Sequence, residues 1–258
     1  MRGSIIIYVL WALTLVSSLT MFMVGGLYFY RINLSKAGTK YVQTLEMFAI
    51  ANIMLTQVRN EVFVSKDLQH VVNKQEVISY QRRTYTVKVE PEDAKLSINA
   101  YDEQTIERLL LLLGFKEDRA RQVAGKIVQE RDLKGLKFVS LAQIKIYMTQ
   151  REYEMVKDYM TVAPTMVNVN YANKTVLQAV GFNKSDAEYI VSMRDKTDFF
   201  SKESLKPLFP GKEGIIDRLL SSRRLPEYFK IKVYSKDGQR LSCILNKIGN
   251  VVDCGDDI

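Results

Sequence analysis

The residues of this sequence that could do chemistry are few, and the clearest pair is Cys243 and Cys254, the two cysteines of the 258-residue chain. The segments around them alternate polar and apolar residues, which is typical of paired β-strands. If a turn centres on Ile248-Gly249, the two cysteines lie directly opposite each other. This register favours a cross-strand disulfide, although such a bond needs specific geometry. The alternative is a pair of reduced thiols.

The other reactive side chains do not form a catalytic pattern. The sequence has no glycine-rich phosphate loop and no His, Cys and Asp spacing typical of a metal centre. The single histidine, His70, has no evident catalytic partner and is interpreted as a surface residue. The scattered acids are interpreted as helix caps and surface charge, and examples are Asp102, Glu103, Asp195 and Asp198. We therefore predict that the protein is not an enzyme and has no catalytic or cofactor-binding residue.

The composition allows an anchor and one or two modest domains. The net charge of +8 at pH 7 could favour nucleic acid or anionic lipid. However, the positive residues are dispersed and mixed with acids, as on an ordinary solvated surface. The charge alone therefore assigns no partner.

The longest apolar stretch lies near the start of the chain, from Ser4 to Tyr30, and contains no charged residue. A membrane-spanning helix needs about 20 mainly apolar residues, so this stretch is long enough to cross with some tilt. In lipid the backbone must satisfy its own hydrogen bonds, which favours an α-helix. Helical character continues over residues 34–64, with apolar residues spread over a wide arc and a break suggested near Gly38. We predict a long helix that continues from a membrane into a soluble domain.

Strand patterns occur in two separate regions of the chain. The predicted strands are residues 84–89, 95–99, 228–234, 239–245 and 250–253. Residues 95–99 are predicted as the return strand of the first hairpin, because Pro91 to Asp93 mark a turn. Asp237-Gly238 is a strong hairpin signal between two strands of the second region.

Between the strand regions, residues 100–225 are almost entirely helical and contain a weak internal repeat. The sequence LLLLLGFKEDRA at 109–120 aligns with VLQAVGFNKSDA at 176–187, so that Gly114-Phe115 matches Gly181-Phe182. Each unit is predicted as an apolar helix, a glycine turn and a second helix, which is a helix-hairpin-helix pattern. A short sequence segment that contains asparagine precedes each unit, and we name it the asparagine phrase of that unit. The two segments are Ile98-Asn99-Ala100 and Val167-Asn168-Val169-Asn170.

The start of the chain resembles the prepilin signal of type IV pilins and type II secretion pseudopilins. A short leader with Arg2 is followed by Gly3 and then by the apolar helix. The resemblance implies that prepilin peptidase cleaves between Gly3 and Ser4, and an uncleaved signal anchor is the alternative. Most members of these families have glutamate at the fifth mature position, which here is Tyr8. In the family this acid is thought to neutralise the amine of the subunit ahead, so its absence suggests a tip subunit.

The pattern of the whole chain resembles the minor pseudopilin K family of type II secretion systems. The signal of that family often reads RG followed by aliphatic residues and LW, as in Arg2-Gly3 and Leu10-Trp11. The later features follow in the order that the family has. They are a strand pair, an asparagine phrase, a glycine turn, a second asparagine phrase and the C-terminal strands. These features cover residues 86–130, 167–205 and 228–254.

The resemblance implies an α+β fold. A long N-terminal transmembrane pilin helix would pack on a small antiparallel sheet, and a large all-helical domain with two helix-hairpin-helix-like repeats would be inserted in the sheet. The expected division is a leader at 1–3, a transmembrane part at 4–30, the rest of the pilin helix and the first strands at 31–99, the inserted domain at 100–225 and the C-terminal strands at 226–258.

The resemblance also implies a non-enzymatic subunit at the tip of the type II secretion pseudopilus, acting in assembly and protein export. The expected location is the bacterial inner membrane, crossed once, with the C-terminal domain in the periplasm. A disulfide is permitted in that compartment. The expected partners are the I- and J-type minor pseudopilins, the pseudopilus, prepilin peptidase and the membrane.

The residues depart from the calcium sites that the family commonly has. The equivalent stretch, residues 129–135, lacks the carboxylate density that calcium prefers. The remaining candidate metal ligands are Asp253, Asp256 and Asp257, and a solvated acidic tail is the favoured interpretation of them. We therefore expect no cofactor, with calcium as the alternative.

Two other functions stay open. The first is a tip minor pilin of a type IV pilus, because the two machineries share the anchor. The second is a membrane-anchored DNA receptor, because helix-hairpin-helix modules often bind the DNA backbone through hairpin amides. Both turns lack the second glycine that this contact favours, and Glu117 and Asp118 place negative charge at the first turn. Nucleic acid is therefore not the favoured partner.

Overall fold

The structure is a computed structural model. It describes residues 2–64, 75–133, 135, 137–194, 200–219 and 226–255, without the side chains of residues 2–15, 59 and 61–64. The chain forms two compact units, residues 1–48 and residues 49–258. Helices and an antiparallel five-stranded sheet make up the fold, which confirms the predicted α+β class.

The first helix, α1 (Arg2–Val64), is continuous. It passes Gly25, Gly26 and Gly38 without interruption, so the break suggested near Gly38 is wrong. An isolated glycine costs about 1 kcal/mol relative to alanine in a helix interior. A long helix tolerates this cost because each further residue adds a hydrogen bond to a structure that is already nucleated.

In the first unit, the apolar side chains of α1 from Val16 to Tyr30 are exposed, and Phe22 is 84% exposed. Among the residues that the structure describes, no helix combines the length and the apolar character that crossing a membrane requires. The first part of the predicted span lies outside the described side chains. The predicted cleavage position at Gly3 and Ser4 and the unusual Tyr8 also lie there.

The second unit is built on a sheet with the strand order β1-β2-β5-β6-β7. Its strands are β1 (Gln75–Tyr80), β2 (Arg83–Pro91), β5 (Tyr228–Ser235), β6 (Arg240–Asn246) and β7 (Val251–Gly255). Two short strands, β3 (Leu96–Ser97) and β4 (Met160–Thr161), pair in parallel outside this sheet. Because β2 and β5 are neighbours, the chain between them is an insertion between two adjacent strands.

The return strand predicted at residues 95–99 is wrong. The partner of β2 is β1, which precedes it, and the two are joined by Gln81 and Arg82 with φ of 46° and 68°. Leu96 instead donates its N–H to the carbonyl of Tyr159 at 2.9 Å and so belongs to the β3–β4 pair. The Gln-Arg turn lacks the glycine or asparagine that usually marks positive φ. The sequence therefore did not reveal the first hairpin.

One face of the sheet is apolar and buried. Its side chains follow the strand period of two and are Tyr85, Val87, Val89, Phe229, Ile231, Val233, Leu241, Cys243 and Leu245. The end of α1 contributes a matching buried stripe of Ile50, Ala51, Met54, Leu55 and Val58. Gln57 Nε2 donates to Glu76 Oε2 on β1 at 3.3 Å, and a methyl group on Gly249 would lie 3.9 Å from Leu55 Cδ2. These contacts at both edges of the sheet place the end of α1, within the second unit, across the buried face.

The inserted block, residues 92–227, is mainly helical. Its helices are α2 (Glu103–Leu112), α3 (Glu117–Leu133), α4 (Gln150–Val156), α5 (Lys174–Ala179), α6 (Lys184–Arg194), α7 (Lys202–Leu205) and α8 (Glu213–Asp217), with 3₁₀ turns at Glu92–Ala94, Leu141–Tyr147 and Lys206–Leu208. Its apolar core includes Ile244 of β6, and Val252 of β7 packs against this core. The block is therefore fastened to the sheet near β7.

The two C-terminal hairpins use the same turn chemistry. Gly238 and Gly249 have φ of +83° and +102°, which only glycine adopts readily. Ser235 Oγ and Asn246 Oδ1 each accept from the N–H two residues later, at 3.2 and 3.0 Å. The second turn pairs Leu245 with Val251, and a bulge between Ile244 and Leu245 then shifts the register by one residue. This shift places Cys243 opposite Cys254, and the structure joins these two cysteines by a disulfide.

Loss of this disulfide should lower the free energy of unfolding by about 2–3 kcal/mol, because the bond closes a short loop in the unfolded chain. Cys254→Ser is the suitable change, since Cys254 is exposed whereas Cys243 is fully buried. Chemical denaturation of the full chain gives the comparison. Reduced wild type should match the variant, and equal stability of the oxidised and reduced wild type would contradict the expectation.

Candidate functional site

The sequence Gly114-Phe115 ends α2 in a Schellman motif. The N–H of Gly114 donates to Leu111 O at 2.9 Å, and the N–H of Phe115 donates to Leu110 O at 3.1 Å. Gly114 has a φ of +93°, which a residue with a Cβ adopts only with strain. Phe115 is buried and supplies the apolar contact that accompanies this motif.

The sequence Gly181-Phe182 ends α5 in the same way. Gly181 donates to Gln178 O at 3.1 Å, and Phe182 donates to Leu177 O at 3.2 Å. Gly181 has a φ of +122°, and Phe182 is buried. The internal repeat of the sequence therefore encodes two equivalent helix ends, and an aromatic side chain anchors each turn in the core.

An asparagine ahead of each helix pair fastens the segment that follows the pair. Asn99 accepts from the N–H of Phe138 at 2.9 Å and donates to its carbonyl at 2.8 Å. Asn170 accepts from the N–H of Phe200 at 2.8 Å and donates to its carbonyl at 3.1 Å. The asparagine phrases of the sequence thus act as backbone clamps, because one amide satisfies a donor and an acceptor of the same residue.

An arginine near the end of the second helix closes each pair. Arg131 Nη1 donates to Tyr101 O at 2.6 Å, and Arg194 Nη1 donates to Ala172 O at 2.5 Å. Both carbonyls belong to the residue directly before the N-cap of the first helix of their pair. In each pair, this hydrogen bond therefore joins the end of the second helix to the residue that precedes the first helix.

A third helix lies over one side of each glycine turn. A methyl group on Gly181 would lie 2.8 Å from Ile215 Cδ1 on α8, and one on Gly114 would lie 4.0 Å from Met155 Cε on α4. The N–H groups of both glycines and of the phenylalanines that follow are bonded within their own helix ends. A phosphate of DNA would therefore find no free N–H donor at these glycines and phenylalanines, which argues against a nucleic-acid interface there.

An ion pair holds each covering helix, with the charges exchanged between the two units. Arg119, the third residue of α3, donates to both carboxylate oxygens of Glu152 on α4, at 2.9 and 2.8 Å. This two-point contact lowers the pKa of the Glu152 carboxyl to about 2. Asp186, the third residue of α6, pairs with Lys212, which directly precedes α8.

Asp93 joins the inserted block to the sheet and is fully buried. Its Oδ2 accepts from the N–H of Glu227 at 3.0 Å and from Asn168 Nδ2 at 3.3 Å. Burial raises the pKa of Asp93 to about 8, against the opposing effect of the Asn168 hydrogen bond. Sequence reasoning missed this residue, because an acid two positions after Pro91 is typical of an exposed turn.

An exposed groove with an uncharged lining runs along the end of α1, beside the buried stripe. Its lining is Asn52, Ile53, Thr56, Gln57 and Asn60. Ile53 is 48% exposed, and Ile248 of the β6–β7 turn is 71% exposed. The turn adjoins the groove, since a methyl group on Gly249 would lie 3.8 Å from Asn52 Oδ1. We name the groove and Ile248 together the α1 docking face.

Of the three acidic C-terminal candidates for metal binding, the structure describes Asp253. Asp253 lies on β7, where burial raises its pKa against the effect of a hydrogen bond with the Ser140 side chain. Asp256, Asp257 and His70 lie outside the described residues, as do Asp195 and Asp198. Within the described ranges, no group of three or more His, Cys, Asp or Glu residues is placed to hold a metal ion.

These features define the class of fold: a long N-terminal helix crosses a small antiparallel sheet, and a helical block is inserted between adjacent strands, as expected for a pseudopilin. No family model and no curated protein matches the chain. The chain is similar to a chain in the crystal structure of the GspK–GspI–GspJ complex from the type 2 secretion system of enterotoxigenic Escherichia coli. The TM-score is 0.68 at 13% identity, over 87% of this chain and 99% of that chain. This similarity confirms the predicted fold of a K-type minor pseudopilin.

Gly181→Ala should destabilise the protein more than Gly114→Ala. Both changes place a Cβ at positive φ, which costs roughly 1–2 kcal/mol. At residue 181 the methyl group also meets Ile215 at 2.8 Å. Chemical denaturation measures both variants. Their difference should shrink when Ile215→Ala is added, and a difference that Ile215→Ala leaves unchanged would show that the contact is not its cause.

Proposed function

We propose that this protein is a minor pseudopilin of a type II secretion system that acts at the tip of the pseudopilus in assembly and protein export, without enzymatic activity. The observation that carries the proposal is the fold. The similarity spans 99% of the chain from the GspK–GspI–GspJ complex, so it extends to the inserted block as well as the sheet. The prepilin-like start with Gly3 and Ser4 supports the same function from an independent part of the sequence.

In the proposed mechanism, α1 serves assembly. Prepilin peptidase cleaves after Gly3 at the inner membrane, and the mature helix then leaves the bilayer to pack in the helical bundle of the pseudopilus. Phe22, which is 84% exposed in the single chain, would be surrounded first by lipid and then by neighbouring helices. With Tyr8 in place of glutamate, the fifth mature position has no acid to pair with the amine of a subunit ahead, as suits a tip subunit.

The α1 docking face is the proposed contact with I- and J-type minor pseudopilins. The structure that shares this fold contains GspK together with GspI and GspJ. The docking face presents amides and hydroxyls around Ile53 and Ile248, which suits the packing of a partner helix by interlocking side chains. The opposite side of the same helix segment packs against the sheet of this chain.

The two alternative functions differ from the proposed one in the partner that the protein binds and in the geometry that the hairpin turns need. A tip minor pilin of a type IV pilus would use the same anchor and differ in the subunits that it binds. A membrane-anchored DNA receptor would need open hairpin turns. Ile215 lies over Gly181, which disfavours this alternative.

Ile53→Asp should weaken the complex with the I- and J-type subunits at least tenfold. A buried carboxylate without a partner costs more than the roughly 1.4 kcal/mol that corresponds to tenfold. The measurement is co-purification of the full chain in detergent with the two minor pseudopilins of the same organism, over a series of concentrations.

Ile146→Asp is the matched control, because Ile146 is an isoleucine of the inserted block that is 79% exposed. This variant should bind the two subunits like wild type.

A titration with duplex DNA at near-physiological salt should give no salt-dependent binding for wild type, Ile53→Asp or Ile146→Asp. Selective co-purification with type IV minor pilins would assign the other machinery. Micromolar DNA binding without a pilin partner would overturn the proposal.

Co-expression with prepilin peptidase should remove the first three residues and leave Ser4 as the new N-terminus. Intact-mass measurement and N-terminal sequencing detect this change. Gly3→Val should stay uncleaved, because the resemblance places the cut directly after a glycine. A wild-type chain that keeps its first three residues in the presence of an active peptidase would support the uncleaved signal anchor instead.

A further inference from the structure

Asp93 lies where the chain leaves the sheet, directly after β2 in the 3₁₀ turn Glu92–Ala94. Its side chain is 0% exposed. Oδ1 has no hydrogen-bond partner among the described residues, whereas Oδ2 accepts two hydrogen bonds. A carboxylate in this position would leave part of its charge without compensation, and a buried charge of that kind is costly.

The two donors to Oδ2 come from distant parts of the chain. Glu227 directly precedes β5 and donates its N–H at 3.0 Å. Asn168, in the segment before α5, donates Nδ2 at 3.3 Å, and its N–H donates to the main-chain oxygen of Asp93 at 2.7 Å. Asp93 therefore connects the exit from the sheet, the return to the sheet and the second helix pair.

The charged and titratable groups around Asp93 do not compensate the negative charge that its carboxylate would carry. Glu92, on the same 3₁₀ turn, adds negative charge nearby, and Lys95 is bonded to Glu92 at 2.9 Å. Tyr171, from the segment before α5, is buried, and its pKa is raised by burial and then by the charge of Asp93. Glu227 presents its main-chain N–H to Asp93, while its carboxylate lies 3.7 Å from Lys247 Nζ.

We propose that Asp93 is a protonation-dependent latch. Its neutral carboxyl group holds the inserted block to the sheet, and loss of the proton loosens this joint. Because the donors come from the start of β5 and from the second helix pair, loosening would free the block at its attachment while leaving the core of each helix pair intact.

The direction of the pH dependence follows from the two states of the group. Burial raises the pKa of Asp93 in the folded chain to about 8, whereas an unfolded aspartate has a pKa of about 3.9. The stabilisation by the proton is therefore fully present below about pH 4. It is lost progressively as the pH rises and is gone once the pH has passed the folded value.

Hydrogen exchange of the full chain in detergent tests the latch. The measured quantity is the opening constant of the backbone amides in residues 160–173, corrected for the intrinsic pH dependence of exchange. In wild type it should rise with pH by up to about tenfold per unit until roughly pH 8 and then level off. Asp93→Asn keeps an acceptor for Glu227 and Asn168 but cannot ionise, so its opening constant should be independent of pH.

Asp237→Asn is the matched control, because Asp237 is an exposed aspartate in the β5–β6 turn. It should keep the slope of wild type. A wild-type slope that persists in Asp93→Asn, or a wild-type opening constant that does not change with pH, would overturn the latch.

A second measurement on the unmodified chain covers the case in which Asp93→Asn does not fold. Infrared spectroscopy should detect a protonated carboxylic acid near neutral pH that disappears as the pH rises through about 8. Absence of this band would also overturn the proposal. Neither measurement uses a partner subunit, so the outcome is independent of the proposed function.

Discussion

The pairing of β2 with β5 is the constraint on which the rest of the structure depends. Pro91 lies opposite Phe229, so the chain leaves the sheet and returns to it at neighbouring positions. The entropic cost of closing such a long insertion grows only slowly with its length. The inserted block offsets this cost with its own apolar core and with hydrogen bonds at the joint. A buried acid can occupy the joint because two donors reach its Oδ2 there, and this arrangement makes the attachment sensitive to protonation.

The two helix pairs have the same arrangement of helices and turn, although they differ in helix length and in the charged residues that hold them. The first helix has ten residues in the first pair and six in the second, and this difference of four is close to one helical turn. The added turn leaves the same face of the helix directed at the core, so the first helix of each pair ends in an equivalent Gly-Phe turn. The ion pairs that hold the covering helices exchange their signs, since Arg119 and Asp186 occupy equivalent positions. Turn geometry is thus kept while the charges differ.

Sequence patterns predicted those parts of the fold that depend on local chemistry. Period-two alternation and glycine turns located β2, β5 and β6, because these features act over a few residues. The predicted pairing of Cys243 with Cys254 is present, but a bulge between Ile244 and Leu245 that the sequence did not reveal produces it. The partner of β2 was missed because the turn at Gln81 and Arg82 reaches positive φ without glycine or asparagine. Asp93 was missed for a different reason, since its burial and its two donors arise only from contacts far apart in the chain. The clamping role of Asn99 and Asn170 likewise needs residues at least 30 positions away.

The wide arc of apolar residues on α1 follows from the two surfaces that this helix presents. A helix that only covers a sheet would have one apolar stripe and a polar outer side. In the second unit, Ile50, Met54 and Val58 form that stripe, yet Ile53 on the helix and Ile248 in the β6–β7 turn remain exposed. The proposed contact with a partner helix would bury these two side chains. The repeated turns of the inserted block differ, because the N–H groups of both Gly-Phe pairs are bonded within their own helix ends. Ile215 on α8 also lies over Gly181. These turns therefore offer a partner no free N–H donor, whereas α1 keeps an exposed groove along its length.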